Sequence, residues 1–259
     1  FLAQLHPGQM PVVVDGVTYV ESDEFFAWQL NRVGNTVLAA ERNFLPHDLF
    51  RTNALAVGDI SADRDADGIL RRVKAFRTYR RWHPLFQKAA ADPAYGIDLR
   101  QARTEPGQII LPRSNSEVIS VPIDSDGNFE LADFVGDTLP PGLAPKARAF
   151  TEEWVWHMGI VLAAQALQLD LANAEISPDR SCITLRGAGG GERVIPVDSD
   201  NYFYINWGLT PGDSRLTKEA IESLLWQDRV RSEGSTAGLT NRWKDKLVVV
   251  GSSATGNDL

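Results

Sequence analysis

The chain has 259 residues, of which 43% are hydrophobic and 23% charged, and this composition is typical of a soluble globular protein. A formal net charge of −8 argues against a nucleic-acid-binding protein that works through a basic surface. The single cysteine, Cys182, excludes an internal disulfide, and no apolar run approaches the roughly 20 residues of a membrane-spanning helix.

The first part of the chain alternates strand and helix signals. Residues 11–20 have the pattern of a β-hairpin, and residues 21–33 that of a helix with acidic first-turn residues, which ends at Gly34. A buried strand is expected at 36–40 and a short helix or loop within 43–55. Strand, helix and strand in this order are typical of α/β proteins.

Three acidic turns of similar composition occur along the chain. The first, at 63–68, precedes an arginine-rich strand that is expected to continue to Tyr79. The other two, at 121–129 and 194–208, are near copies of one another, and each has the pattern of strand, turn and strand. Asp, Ser and Asn favour such turns because their side chains bond to nearby backbone. These patterns predict β-hairpins and a sheet-based domain.

Further elements complete the predicted fold. Helices are expected at 83–91, at 151–169 and from Thr217 to Trp226, and a buried strand at 246–251. The sequence therefore predicts an α/β fold with a mixed sheet, several β-hairpins and packed helices. It is expected to form a single sensor-type domain over residues 1–259, with an irregular insertion at 92–150 that carries an extra hairpin.

The residues alone give no catalytic or metal-binding constellation. The loop at 251–256 follows a strand signal, as a phosphate loop does, but it lacks the Gly-Lys-Ser/Thr ending. The turn at 63–68 matches half of a calcium loop, yet Lys74 occupies the position that needs a bidentate carboxylate. The four histidines show no paired spacing of zinc ligands. We therefore expect no catalytic residue, no metal and no cofactor.

Four segments, in this order, resemble the CHASE2 domain, the extracytoplasmic sensor module of bacterial transmembrane receptors. They are a helix and strand over 23–39, an Asp-x-Asp-Gly-apolar-x-Arg-Arg element at 65–72, a helix around 158–169 followed by the motifs at 195–198 and 204–208, and Lys-Leu-Val-Val-Val-Gly-Ser-Ser-Ala-Thr-Gly at 246–256. The last segment is similar to the family's Lys-apolar-Val-apolar-Ile-Gly-x-x-Ala-x-Gly signature and is the most specific of the four.

The resemblance implies a non-enzymatic periplasmic domain of a membrane-anchored receptor. Its output module, such as a cyclase or a histidine kinase, would lie outside this chain, and membrane attachment would come from flanking helices that are also outside it. The expected partners are an unknown small-molecule or protein signal and further copies of the chain, in a homo-oligomer, but not nucleic acid.

The candidate ligand-binding residues are those at the turns and strand ends of these motifs, because ligands of open α/β sheets bind beyond strand ends. They are Asp67, Arg71, Arg72, Asp198, Asn206, Lys246, Ser252 and Thr255. The alternative for each is a structural role, in which Asp67 with an arginine, or Asp198 with Asn206, locks a hairpin.

Two other functions remain open at this point. One is a phosphate- or nucleotide-binding α/β enzyme that uses the loop at 251–256 and the basic strand. The other is a structural or assembly module, in which exposed aromatic residues bind a protein partner.

Overall fold

The computed structural model describes residues 12–14, 18–42, 44–135, 144–210, 213–236, 238–240 and 242–251. They form a mixed α/β fold, as the sequence predicts, with the strands distributed over sheets of two or three strands. The chain divides into two compact units, Phe1–Phe203 and Tyr204–Leu259, which are described separately.

The helices of the described residues are α1 (Ser22–Val33), α2 (Asp48–Arg51), α3 (Pro84–Ala91), α4 (Ala132–Val135), α5 (Met158–Leu167) and α6 (Ile221–Ser232). The strands are β1 (Val12–Val14), β2 (Thr18–Val20), β3 (Val37–Ala40), β4 (Ala56–Asp59), β5 (Arg72–Lys74), β6 (Phe76–Trp82), β7 (Arg103–Glu105), β8 (Gln108–Pro112), β9 (Val118–Pro122), β10 (Asn128–Glu130), β11 (Lys146–Arg148), β12 (Phe150–Trp156), β13 (Leu169–Ile176), β14 (Cys182–Gly187), β15 (Glu192–Pro196) and β16 (Tyr202–Tyr204). None of the helices in these ranges combines the length and the apolar character that crossing a bilayer requires.

The first part of the chain folds as its sequence predicts. β1 and β2 pair in antiparallel fashion, although the turn between them lies outside the described residues. α1 ends at Gly34, whose φ of 65° is left-handed and suits glycine. β3 and β4 form a parallel pair, and the short helix α2 lies between them in the chain.

The rest of the first unit is an internal duplication. The first repeat (residues 72–129) and the second repeat (residues 146–203) are related by a shift of 74 positions, from His83 to His157, for example. Each contributes two strands, a helix, a three-stranded antiparallel sheet and a final strand, in that order. Equivalent buried residues include Ile109 with Ile183 and Leu111 with Leu185.

The two repeats meet in a two-stranded antiparallel ribbon of β6 and β12. Phe76 pairs with Trp156 and Trp82 with Phe150, so the ribbon maps onto itself when the repeats are exchanged. Its centre is the pair of Tyr79 with Glu153. The ribbon therefore lies on a pseudo-twofold axis of the first unit.

Each repeat contributes a buried residue and a strand to the lobe that is built mainly from the other repeat. The first lobe is built on α3 and β8 to β10, and its core also includes Ala149 from the second repeat. The second lobe is built on α5 and β13 to β15, and its core includes Ala75 from the first repeat. The strands are exchanged in the same way, because β11 of the second repeat pairs with β10 of the first, and β5 of the first repeat pairs with β16 of the second.

Several expected elements differ from those found. The expected hairpins at 121–129 and 194–208 are wrong, because β9 pairs with β8 and β15 with β14, while β10 and β16 pair across the repeats. The range 92–150, expected to be irregular, carries β7 to β10, which complete the first repeat, and β11, which begins the second. The turns themselves are formed as expected.

The helix expected at 151–169 begins only at Met158. Residues Phe150–Trp156 form β12 instead, since their alternating aromatic and polar side chains fit a strand that has β6 as its partner. The helix expected from Thr217 begins at Ile221.

The strand expected at 246–251 is not formed. Leu247 to Val250 have no strand partner among the described residues, and Val249 is 79% exposed. β-branched residues form a stable strand only when a neighbouring edge pairs with them. In the second unit, Gln227 on α6 is the only buried residue that the structure describes.

Candidate functional site

Four of the candidate residues lie together at the acidic turn before β5. Arg71 donates to both carboxylate oxygens of Asp67, at 2.9 and 2.7 Å, and to Asp65 at 3.0 Å. Arg72 donates to Asp198 at 2.8 Å, across 126 positions of sequence, and lies 3.4 Å from Asp65. The structure therefore joins Asp67, Arg71, Arg72 and Asp198 into one ion-pair network.

The network continues into the protein through residues that follow the parallel pair. Asp59, at the carboxyl end of β4, is fully buried. Its Oδ1 accepts hydrogen bonds from Tyr79, at 2.6 Å, and from Ser61, and its Oδ2 accepts one from Arg77 at 3.1 Å. A buried carboxylate with this many donors has its hydrogen-bonding capacity satisfied and is fixed in place.

Asp63 connects the buried part of the network to the exposed part. It accepts hydrogen bonds from Arg77 and, at 2.8 Å, from the hydroxyl of Tyr202 on β16. The guanidinium of Arg72 lies 4.7 Å from the centre of the Tyr202 ring, on the face where a cation is attracted. One continuous set of polar contacts thus runs from Asp59 to Asp67.

Three carboxylates of this network, those of Asp63, Asp67 and Asp198, have a lowered pKa. Burial alone would raise the pKa of Asp63, but the hydrogen bonds from Arg77 and Tyr202 outweigh it and lower that pKa. The hydrogen bonds from Arg71 lower the pKa of Asp67, and the backbone N–H of Tyr202, helped by Arg72, lowers the pKa of Asp198. These carboxylates suit ion pairing rather than proton transfer near neutral pH.

The contact of Arg72 with Asp198 has a counterpart in the first repeat. Lys146 lies 3.3 Å from Asp124, and both residues are the 74-position equivalents of Arg72 and Asp198. In both turns the first aspartate accepts hydrogen bonds from the backbone N–H groups two and four positions later. Arg72 with Asp198 and Lys146 with Asp124 are therefore two copies of one arrangement, an ion pair to the first aspartate of an acidic turn, which we call a turn lock. The structural alternative named Asn206 as the partner of Asp198 instead, whereas its pair of Asp67 with an arginine corresponds to the contact with Arg71.

The charge balance of the network limits what it can bind. Arg71, Arg72 and Arg77 each contact at least one carboxylate, and five aspartates take part in the network. The carboxylates outnumber the arginines, which favours ion pairing within the network over binding of an added anion. Every buried side-chain nitrogen or oxygen atom in the described residues has a hydrogen-bond partner.

The other four candidates lie elsewhere in the chain. Asn206 and Lys246 belong to the second unit, where Asn206 accepts a hydrogen bond from the backbone N–H of Gly208 at 2.9 Å. Ser252 and Thr255 lie outside the described residues, as does most of the loop at 251–256. The structure thus groups four of the eight candidates, and it leaves the phosphate-loop hypothesis a prediction.

Sequence reasoning missed the buried part of the network. Asp59 and Ser61 stand directly after the strand at 56–59, and a carboxylate at the carboxyl end of a parallel strand was the available signal. Arg77 and Tyr79 fall within the arginine-rich strand that the sequence predicts, and their spacing of two positions puts them on the same side of β6.

The arrangement offers fixed charges rather than a reactive group. Within the described ranges, no three His, Cys, Asp or Glu side chains are placed to hold a metal ion. Comparison of the chain with protein-family models, with curated proteins and with solved structures finds no match.

Proposed function

We propose that the chain is a non-enzymatic, extracytoplasmic sensor domain of a bacterial transmembrane signalling receptor, of the CHASE2 type. It would bind a small-molecule or protein signal outside the membrane and pass that signal to an output module elsewhere in the receptor. The observation that carries the proposal is the contact of Arg72 with Asp198. It joins two of the motif segments on which the resemblance depends, the element at 65–72 and the one at 195–198.

The architecture of the first unit also supports a sensor. A sensor shifts its output only if the signal binds two conformations with different affinity. Here two similar lobes are attached to opposite ends of one ribbon. A change in the angle between the lobes would supply the second conformation. The ion pairs of Arg72 with Asp198 and Lys146 with Asp124 hold one turn of each lobe.

The location can be tested with the natural gene. Alkaline phosphatase folds into its active form only where disulfides form, so a fusion after Leu259 in the natural upstream context reports the compartment. We expect high phosphatase activity, and a matched fusion to β-galactosidase should be inactive. The reverse pattern would contradict an extracytoplasmic sensor.

A second candidate, an assembly module, is favoured by the second unit. Its described residues include many exposed large apolar side chains: Trp207, Leu209, Leu216, Ile221, Leu225, Trp226, Leu247, Val248, Val249 and Val250. Exposed apolar side chains that form one contiguous patch are typical of a protein–protein interface.

Light scattering of the purified chain tests the assembly module. If the exposed residues form an interface between copies, the chain is a dimer or larger, and Val249→Lys with Trp226→Glu makes it a monomer. Lys substitutions at Ile60 and Ile69, which are exposed in the first unit, are the controls. A wild-type monomer up to high concentration would count against self-assembly.

A further inference from the structure

The face of the β6–β12 ribbon that carries the two lobes is open in its middle. Side chains alternate along a strand, so the aromatic residues at both ends of the ribbon share this face with the middle positions. Phe76 and Trp156 pack into the second lobe, while Trp82 and Phe150 pack into the first. The residues between them belong to neither core.

Four residues form this open middle, which we call the central platform. They are two cross-strand pairs, Thr78 with Trp154 and Arg80 with Glu152. Trp154 is 60% exposed, and Thr78 and Glu152 are also exposed. Two residues along each strand and two strands across give an area of about 7 by 5 Å, the size of one sugar ring.

The platform is rigid although it is exposed. The Trp154 ring is stacked on Phe76, with 4.7 Å between ring centres and 20° between planes. The guanidinium of Arg80 lies 4.5 Å from the centre of the Phe150 ring, at the equivalent position of the other strand. Both side chains are therefore pre-positioned, which lowers the entropy cost of binding a ligand.

The polar groups of the platform are available to a ligand. Arg80 lies 3.8 Å from Glu152, which is longer than a hydrogen bond. The platform thus offers N–H donors from Arg80 and Trp154, the hydroxyl of Thr78 and the carboxylate of Glu152, whose loose ion pair with Arg80 a ligand would share. Arg80 and Glu152 together carry no net charge.

The two repeats carry similar residues at the ends of the ribbon but different residues at the central platform. At the ends of the ribbon the repeats keep aromatic residues, with Phe76 equivalent to Phe150 and Trp82 to Trp156. In the middle they differ, since Thr78 is equivalent to Glu152 and Arg80 to Trp154. The frame that packs the lobes is retained, while the positions that face solvent have become chemically distinct.

We propose that the central platform binds a neutral carbohydrate, with a sugar ring stacked on Trp154 and its hydroxyl groups bonded to Arg80 and Glu152. A sugar ring presents an apolar face together with an edge of hydroxyl donors and acceptors, and the platform has both complements. The neutral pair of Arg80 and Glu152 favours an uncharged ligand over an anion. This inference gives the proposed sensor a ligand class and rests on that proposal only for its biological role.

Binding is measured on the purified full chain, independently of where the protein is located. The probes are maltohexaose, cellohexaose and chitohexaose, followed by isothermal titration calorimetry and tryptophan fluorescence. We expect one of them to bind with a dissociation constant in the micromolar to millimolar range. Trp154→Ala should weaken binding by about tenfold or more, and Trp154→Tyr, which keeps a ring, by less.

Trp28→Ala is the matched control, because Trp28 on α1 is also an exposed tryptophan of the first unit. It should bind as the wild type does. The thermal unfolding midpoint of each variant shows that it is folded. Binding of none of the three probes would overturn the inference, as would equal binding by Trp154→Ala. A negative result together with periplasmic phosphatase activity would reject the carbohydrate and leave the sensor standing.

Discussion

His83 and His157 occupy equivalent positions in the two repeats, and each caps the N-terminus of the helix that follows it. The Nδ1 atom of His83 accepts a hydrogen bond from the backbone N–H of Leu85, and that of His157 accepts one from Gly159. The His83 ring packs edge-on against Phe129, with 5.3 Å between ring centres, and the His157 ring packs in the same way against Phe203, at 5.5 Å.

Because these caps need an unprotonated Nδ1, the stability of the fold should depend on pH. Burial lowers the pKa of both His83 and His157, so the unfolded chain takes up protons before the folded chain does. Stability should therefore be fully present above about pH 6.5 and should fall as the pH decreases toward 5. The slope from one histidine cannot exceed about 1.4 kcal/mol per pH unit.

His157→Asn tests this prediction, since asparagine is a good helix cap that does not titrate. Urea unfolding at pH 7 should show the cost of losing the ring contact with Phe203, whereas the further loss of stability between pH 7 and pH 5 should be smaller than in the wild type. His6→Asn, which lies outside the described residues, is the control. An unchanged pH dependence in His157→Asn would show that the cap does not titrate as inferred.

Removing the charge of Asp59 should strongly destabilise the first unit. Asp59→Asn keeps the size of the side chain but leaves the guanidinium of Arg77 beside a neutral amide in a buried place. We expect the free energy of unfolding to fall by about 3 kcal/mol in urea titrations. Asp67→Asn, at the exposed end of the same network, should change it little, and equal losses would mean that burial of Asp59 is not the cause.

At Gly58, any side chain would clash with the backbone at the start of α5. A Cβ atom there would lie 2.7 Å from the Cα of Met158, at the start of α5. Gly58→Ala should therefore cost about 1 to 3 kcal/mol of stability. Gly189→Ala, in an open turn with no atom within 4 Å of the added Cβ, is the control.

The backbone contact makes a sharper test available. Since the nearest atom to the added Cβ is the Cα of Met158, shortening that side chain should not relieve the clash. The double variant with Met158→Ala should remain at least as unstable as Gly58→Ala alone. Recovery in the double variant would instead point to the Met158 side chain.

The two turn locks should respond alike if they are structural. Arg72→Ala and Lys146→Ala should each cause a small decrease in the thermal unfolding midpoint, and adding phosphate should not raise the midpoint of the wild type. Phosphate stabilisation of the wild type that disappears in Arg72→Ala, but not in Lys146→Ala, would instead identify Arg72 as part of an anion site.

The sequence predicted elements whose signals are local. α1 with Gly34 after it, the short helix after Pro46 and the acidic turns are set by neighbouring residues, and each is found. Thr151 to Glu153 gave a helix-cap pattern that the long-range pairing of β12 with β6 overrides. The exposed valines after Lys246 show the opposite case, in which strand-forming residues have no described partner.

The duplication could have been recognised before the structure. Ala75-Phe76 and Ala149-Phe150 stand 74 positions apart, as do Trp82-His83 and Trp156-His157. The repeat is most evident in the copied turns at 121–129 and 194–208. Further equivalences are identical residues, such as Ile109 with Ile183, or hydrophobic substitutions that keep the position buried, such as Phe86 with Ile160.

The first lobe is completed by β11 of the second repeat, and the second lobe by β5 of the first repeat. This exchange determines the order in which the two lobes can fold while the chain is being synthesised. β11 follows β10 after a short connection, from Glu130 to Lys146, so the first lobe can close soon after its own strands are made. β5 is made before either lobe, yet it must wait for β16, from Lys74 to Tyr202. That loop is roughly eight times longer, which adds about 2 kcal/mol of closure entropy. A nascent chain released before Tyr202 would therefore carry a finished first lobe and an unpaired β5, a strand edge exposed to misassociation until the last repeat emerges.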